Sequence, residues 1–148
     1  MNTTSSEPKL PEASVSKGRL WTGLILSILP ALFLVLDGVM KLTKPEIVVK
    51  TTVEIGYQES IIVPLGIVLL ICTVLYLIPR TAFLGAILTT GYLGGAVWTH
   101  LRVGEAWFFP IIVAVLMWLG LALRHPVIFR LLLGQESLAP PINDAAQR

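Results

Sequence analysis

Cysteine is almost absent from this chain. Cys72 is the single one in 148 residues, and it lies inside an apolar run, so there is no internal disulfide, no C-x-x-C dithiol and no thiolate metal cluster. Any redox role would have to use an external cofactor or partner. Histidine is nearly as scarce: His100 and His125 are the two present, and they fall on opposite sides of the layout derived below, which leaves two-histidine haem ligation in a membrane unsupported. No H-E-x-x-H, no phosphate-cradling loop after a strand and no Ser-His-Asp set with a plausible elbow is found, and no metal site is expected. Charge is sparse too, with 14% charged residues and a net +2. That is too little and too spread out for the concentrated basic face of a nucleic-acid binder.

What is present is apolar surface. The composition is 55% hydrophobic and the mean hydropathy is +0.80, too apolar for an ordinary soluble domain of this length. The class is integral membrane. Met1 to Ser16 are rich in Ser, Thr, Pro and Glu with little to bury, and read as a disordered tail. Lys17 and Arg19 then precede an apolar run from Leu20 to Met40, which at 1.5 Å per residue reaches roughly 30 Å and can cross a bilayer. It lacks the A-x-A-like end of a secretory signal and is expected to remain as an anchor.

Leu42 to Ser60 is too charged to enter lipid and reads as an extramembrane loop, with Ile47, Val48, Val53 and Ile55 spaced for a short amphipathic surface helix after Pro45. A second apolar run, Ile61 to Ile78, is separated by Pro79-Arg80 from a third, Thr81 to Thr99. These two form a hairpin. Leu101 to Glu105 is a brief polar link to a fourth run, Ala106 to Leu123, stopped by Arg124-His125-Pro126. Val127 to Leu133 is too short to cross and is assigned to the interface. The expected fold class is therefore all-α, an integral membrane four-helix bundle. Its spans lie at about 20–40, 61–78, 81–99 and 106–123, within a domain of residues 17–134 followed by a disordered tail, 135–148.

Four spans put both termini on one side. That side carries Lys17, Arg19, Arg80, Arg124 and Arg130, against Lys41, Lys44, Lys50 and Arg102 on the other, so the positive-inside rule places the termini in the cytoplasm. Trp21 and Tyr76 near one face, and Trp98, Trp107, Phe108 and Phe109 near the other, fit interfacial aromatic belts.

The same topology brings the C-terminal ends of the first and third spans to one face. Asp37 and Lys41 then share a depth with His100, Arg102 and Glu105, as a polar mouth on the outer side. Along the first span Gly23, Ser27, Pro30, Leu34, Asp37 and Lys41 fall within one quadrant at about 100° per residue. Lipid cannot solvate a carboxylate, so this stripe should face the bundle interior with Asp37 and Lys41 paired one turn apart. Whether that pair is functional or only fixes packing is open. His100 could exchange a proton near neutral pH, while Lys41 with Arg102 could hold an anion or a quinone carbonyl; for Arg102 alone, snorkelling to headgroups is the preferred reading. The run Gly91 to Gly104 carries Gly91, Gly94 and Gly95 on one face and Gly85, Thr89, Ala96 and His100 on nearly the opposite one. This reads as a central helix whose glycines, including Gly91-x-x-x-Gly95, pack within the chain rather than across a dimer. Cys72, Thr73, Thr89 and Thr90 read as packing residues, the threonine hydroxyls able to bond their own preceding turn.

Four stretches carry a resemblance: Asp37-Gly38-Val39-Met40-Lys41-Leu42-Thr43-Lys44-Pro45, Leu75-Tyr76-Leu77-Ile78-Pro79-Arg80-Thr81-Ala82, Leu84-Gly85-Ala86-Ile87-Leu88, and Gly91 to Gly104. In combination they resemble the DoxX-like membrane proteins. The resemblance implies a four-helix protein of the bacterial inner membrane and, through the wider DoxX group, a link to quinone-coupled thiosulfate oxidation and to oxidoreductase complexes handling thiol stress. It brings no catalytic motif. The expected function is an accessory subunit of such a system, with quinone as the candidate cofactor, the bilayer as solvent and another membrane or redox protein as partner. The competing expectation is a non-enzymatic scaffold or small-solute transporter. The catalytic residues and the oligomeric state are left open.

Overall fold

The computed structural model describes residues 17–125 together with Val127 and Gly134; the two expected tails and most of the interfacial segment after Pro126 lie outside the described residues. The described chain is helical. In order it forms α1 (Lys17–Thr43), α2 (Glu46–Glu54), a single 3-10 turn (Glu59–Ile61), α3 (Ile62–Leu77), α4 (Ala82–Val103) and α5 (Phe108–Arg124).

The helices begin and end where local chemistry allows. Pro64 and Pro110 lie in the first turns of α3 and α5, where an N–H would have no intrahelical partner, so proline costs little there. Pro45 caps α2, its carbonyl accepting from the amides of Val48 and Val49. α2 buries no side chain and leaves Ile47 and Val53 exposed, as a helix lying on a membrane surface would.

α4 runs past the expected boundary at Thr99. It stops at Gly104, whose φ of 73° ends the helix in the left-handed region. The amides of Gly104 and Glu105 then bond back to Leu101 O at 3.3 Å and His100 O at 3.0 Å, a Schellman motif. His100 and Arg102 are therefore helical residues, and the true link to α5 is Gly104 to Trp107. α1 ends differently, on Lys44 with φ 49°, a conformation that a side chain adopts at a cost of roughly 1 kcal/mol.

Four helices close into a bundle in which α1 packs on α3 and α5, and α4 packs on the same two. α1 and α4 thus stand diagonally across the bundle. Leu34, Leu69, Tyr76, Ala86, Met117 and Leu121 fill its middle. The expected α1 stripe faces this interior: Gly23, Ser27, Pro30 and Leu34 are buried.

The close approaches fall at Gly85, Gly120 and Gly66 rather than at Gly91, Gly94 and Gly95. A Cβ on Gly85 would stand 2.1 Å from the Tyr76 backbone nitrogen, and one on Gly120 would stand 2.8 Å from the Ser27 backbone nitrogen. One on Gly66 would lie 2.8 Å from Lys41 Cβ. Gly91, Gly94 and Gly95, expected to pack within the chain, are exposed, and nothing lies within 4 Å of a Cβ added there. The reason is angular: α4 turns its Gly85–Thr89–Leu93 face to the core, so the opposite glycine face looks outward. α4 is one wall of the bundle rather than its centre.

Tyr76 also departs from expectation. It does not sit in an interfacial belt but is fully buried, because a hydrogen bond to α5 gives its hydroxyl a partner inside. Trp21, Trp98, Trp107 and Phe108 are exposed, as belt residues would be.

The outer surface is as apolar as the interior. Ile25, Leu29, Leu32, Ile71, Val74 and Val115 are all at least half exposed, an arrangement water would penalise and lipid does not. α1, the segment Glu59–Leu77 and α4 are long and apolar enough to cross a bilayer. α5 is apolar but has 17 residues, about 25 Å at 1.5 Å per residue.

Candidate functional site

Polar side chains gather at the end of the bundle that carries α2. On α1, Lys41 Nζ donates to the Asp37 carboxylate at 2.5 Å, with the two side chains 20% and 36% exposed. The spacing of four residues puts both on one helix face with the acid first, the favourable order for the helix dipole. Gly66 on α3 makes the position possible, since the Lys41 stem occupies the space a side chain there would need. On the diagonal helix, the half-buried Tyr92 packs against the core within electrostatic range of Asp37.

His100 turns elsewhere. Its Nδ1 lies 2.7 Å from the Ala96 carbonyl oxygen, which can only accept, so Nδ1 carries a hydrogen. The other ring nitrogen, Nε2, lies 3.9 Å from a Glu105 carboxylate oxygen. The pair is an ion pair when the ring is protonated.

Arg102 reaches the turn that follows α2. Its guanidinium donates to the Ile55 carbonyl and stands 5.1 Å from the centre of the Tyr57 ring. Gly56, at φ 87°, turns the chain so that this carbonyl is presented. Thr99 donates to Gly95 O at 3.0 Å, which leaves its oxygen to accept from the Tyr57 hydroxyl at 2.9 Å. Together these contacts clasp the end of α2 to the end of α4. Lys44 and Glu59 form a second tie, between the end of α1 and the start of α3.

The expected mouth therefore consists of two groups. Asp37 and Lys41 form one; His100 and Arg102, each bonded within its own surroundings, belong to the other. No hydrogen bond or ion pair joins the two groups among the described residues. Their separation follows from α1 and α4 being diagonal, which equal depth in a membrane does not reveal. Tyr92, Tyr57 and Gly66 were not singled out from the sequence. Tyr57 had no usable signal in a charged loop, whereas Gly66 stands out as the one glycine in a run of large apolar residues.

Two further features lie outside the mouth. An open apolar groove of about 400 Å³ runs between α4 and α5, lined by Thr90, Leu93, Gly94, Val97, Pro110 and Trp118 among others. Trp118 Nε1 donates across it to Thr90 Oγ1 at 2.9 Å, and Thr90 in turn donates to Ala86 O at 2.7 Å. Thr73 likewise bonds its own preceding turn, to Leu69 O at 2.8 Å, while the buried Thr89 hydroxyl has no hydrogen-bond partner among the described residues. Among the described residues, no group of three or more His, Cys, Asp or Glu side chains is placed to hold a metal ion.

An all-helical bundle with a lipid-compatible exterior and an ion pair in a spanning helix defines a multi-pass integral membrane protein. The family model described as the DoxX-like family matches residues 25–120, and the chain belongs to that family. The match runs from α1 through most of α5 and so includes Asp37, Lys41, Tyr92, His100 and Arg102. No curated protein and no solved structure matches the chain.

Proposed function

We propose that this DoxX-like protein crosses the bacterial inner membrane four times with both termini in the cytoplasm, and serves as an accessory subunit of a quinone-linked or thiol-stress oxidoreductase system. The observation that carries this reading is the Asp37–Lys41 pair. It is held half-buried in a spanning helix against Gly66, where ionisable groups are costly and are retained chiefly for function. Lys41 supplies a donor for a quinone carbonyl, and the half-buried Tyr92 phenol lies within electrostatic range of Asp37. The apolar groove between α4 and α5 has the size and lining for part of an isoprenoid tail. The single cysteine, buried on α3, leaves electron transfer to the partner.

Extraction of quinone from protein purified in mild detergent tests the reading. Wild-type protein retains quinone, and Lys41→Met loses it at unchanged protein level. A quinone-free wild-type preparation overturns the redox assignment.

A second reading, a non-enzymatic scaffold, draws support from the outward glycine face of α4, which no atom of the described residues covers. On that reading Lys41→Met lowers the amount of folded protein, and substitutions at Gly91 and Gly95 remove a co-purifying membrane protein.

A further inference from the structure

The opposite end of the bundle has a different electrostatic character. Lys17, Arg19, Arg80, Arg124 and His125 lie there, while the described acids Asp37, Glu46, Glu54, Glu59 and Glu105 all lie at the α2 end. An open pocket of about 330 Å³ sits between the start of α1, the α3–α4 turn and the end of α5. It is lined by Leu20, Trp21, Leu24, Pro79, Arg124 and His125.

Arg124 is the unusual member. Its stem packs on α1 at Gly23, where a Cβ would lie 3.0 Å from Arg124 Cγ, and its guanidinium stands 5.7 Å from the centre of the Tyr76 ring. Nε and Nη2 are shielded from solvent and, among the described residues, complete no hydrogen bond, although the Tyr76 hydroxyl stands close by. No other described cation has buried N–H groups left in that state. A guanidinium so placed is expensive until an anion accepts from it, and the described residues supply no carboxylate at this end.

We propose that this pocket binds a phosphate group, with Arg124 as its principal donor and His125 beside it. The planar fork of arginine matches two phosphate oxygens. Leu20, Leu24 and the exposed Trp21 give the pocket apolar walls at interfacial depth, which suits the phosphate of an anionic phospholipid, its chains lying along α1. Inorganic phosphate offers the same oxygens without the chains.

The test uses the full-length protein in a neutral detergent, titrated with phosphatidylglycerol, phosphatidylcholine or inorganic phosphate, with retained ligand read by native mass spectrometry. Wild-type protein is expected to prefer phosphatidylglycerol, and Arg124→Gln to weaken that binding about tenfold or more, the scale of a charge-assisted hydrogen bond. Arg80→Gln, which removes an exposed cation at the same end but outside the pocket, should leave it unchanged. Should Arg124→Gln fail to accumulate, Arg124→Lys keeps the charge, loses the fork and is expected to weaken binding in the same direction. Displacement of the lipid by millimolar inorganic phosphate would assign the site to the free anion, and retention would assign it to the lipid. Equal binding of the two phospholipids by wild-type protein, or equal losses in Arg124→Gln and Arg80→Gln, overturns the proposal.

Discussion

The Tyr76 hydroxyl on α3 donates to the Met117 carbonyl oxygen on α5 at 2.9 Å, so two helices that share few other contacts are joined through the middle of the bundle. Ser27 of α1 and Arg124 of α5 flank the same hydroxyl. Because Tyr76 is fully buried, the bond is made in a medium that offers no water as a substitute.

Tyr76→Phe should therefore lower stability by about 1 kcal/mol, the usual scale for a hydrogen bond between membrane helices. Thermal or denaturant unfolding in detergent measures it. A loss no larger than that of Tyr57→Phe at the exposed clasp would remove the special status of the buried bond.

Glycine substitutions should divide sharply. Gly85→Ala places a methyl within 2.1 Å of the Tyr76 backbone, where rigid main chain cannot yield, and is expected to cost about 3 kcal/mol by forcing α3 and α4 apart. Gly94→Ala meets nothing within 4 Å and gains helix propensity, so the isolated protein should be as stable as wild type or slightly more so. Parallel unfolding curves decide it; similar losses at both positions would contradict the packing described.

At Gly104 the requirement is conformational rather than spatial. With φ at 73° and open space around it, Gly104→Ala should cost about 1 kcal/mol through backbone strain alone. Gly104→Asn should recover part of this, because asparagine tolerates the left-handed region.

Arg102→Met removes the donor to Ile55 and the cation over Tyr57. The expected result is faster amide exchange in α2 and the following turn, with exchange in α3 and α5 unaltered. Uniform exchange changes throughout the bundle would indicate that the clasp is not local.

The half-buried pair on α1 should show coupling. Asp37→Asn and Lys41→Met each leave one unpartnered charge, while the double variant leaves none. Each single change is expected to cost about 1 kcal/mol, reduced by the partial exposure of both side chains, and the double change less than the sum. Additive losses in a double-mutant cycle would show that the two groups do not interact.

Much of this protein follows from chain composition and spacing. Apolar runs of this length, separated by Pro79-Arg80 and by the charged loop before Ser60, satisfy their backbone polarity in lipid as helices, and a carboxylate four residues before a lysine on the small-residue stripe of α1 is placed to pair on its own helix. The DoxX-like pattern from Asp37 to Gly104 was legible for the same reason. Tertiary structure decided which surfaces meet. Both faces of α4 carry small residues, and nothing in their spacing says which one turns inward; packing against α3 put Gly85 in the core and left Gly91, Gly94 and Gly95 outside. Equal membrane depth likewise placed His100 and Arg102 level with Asp37 and Lys41, yet depth is one coordinate and contact requires three. The diagonal placement of α1 and α4 separated the two groups, and a hydrogen bond 41 residues long in sequence drew Tyr76 inside.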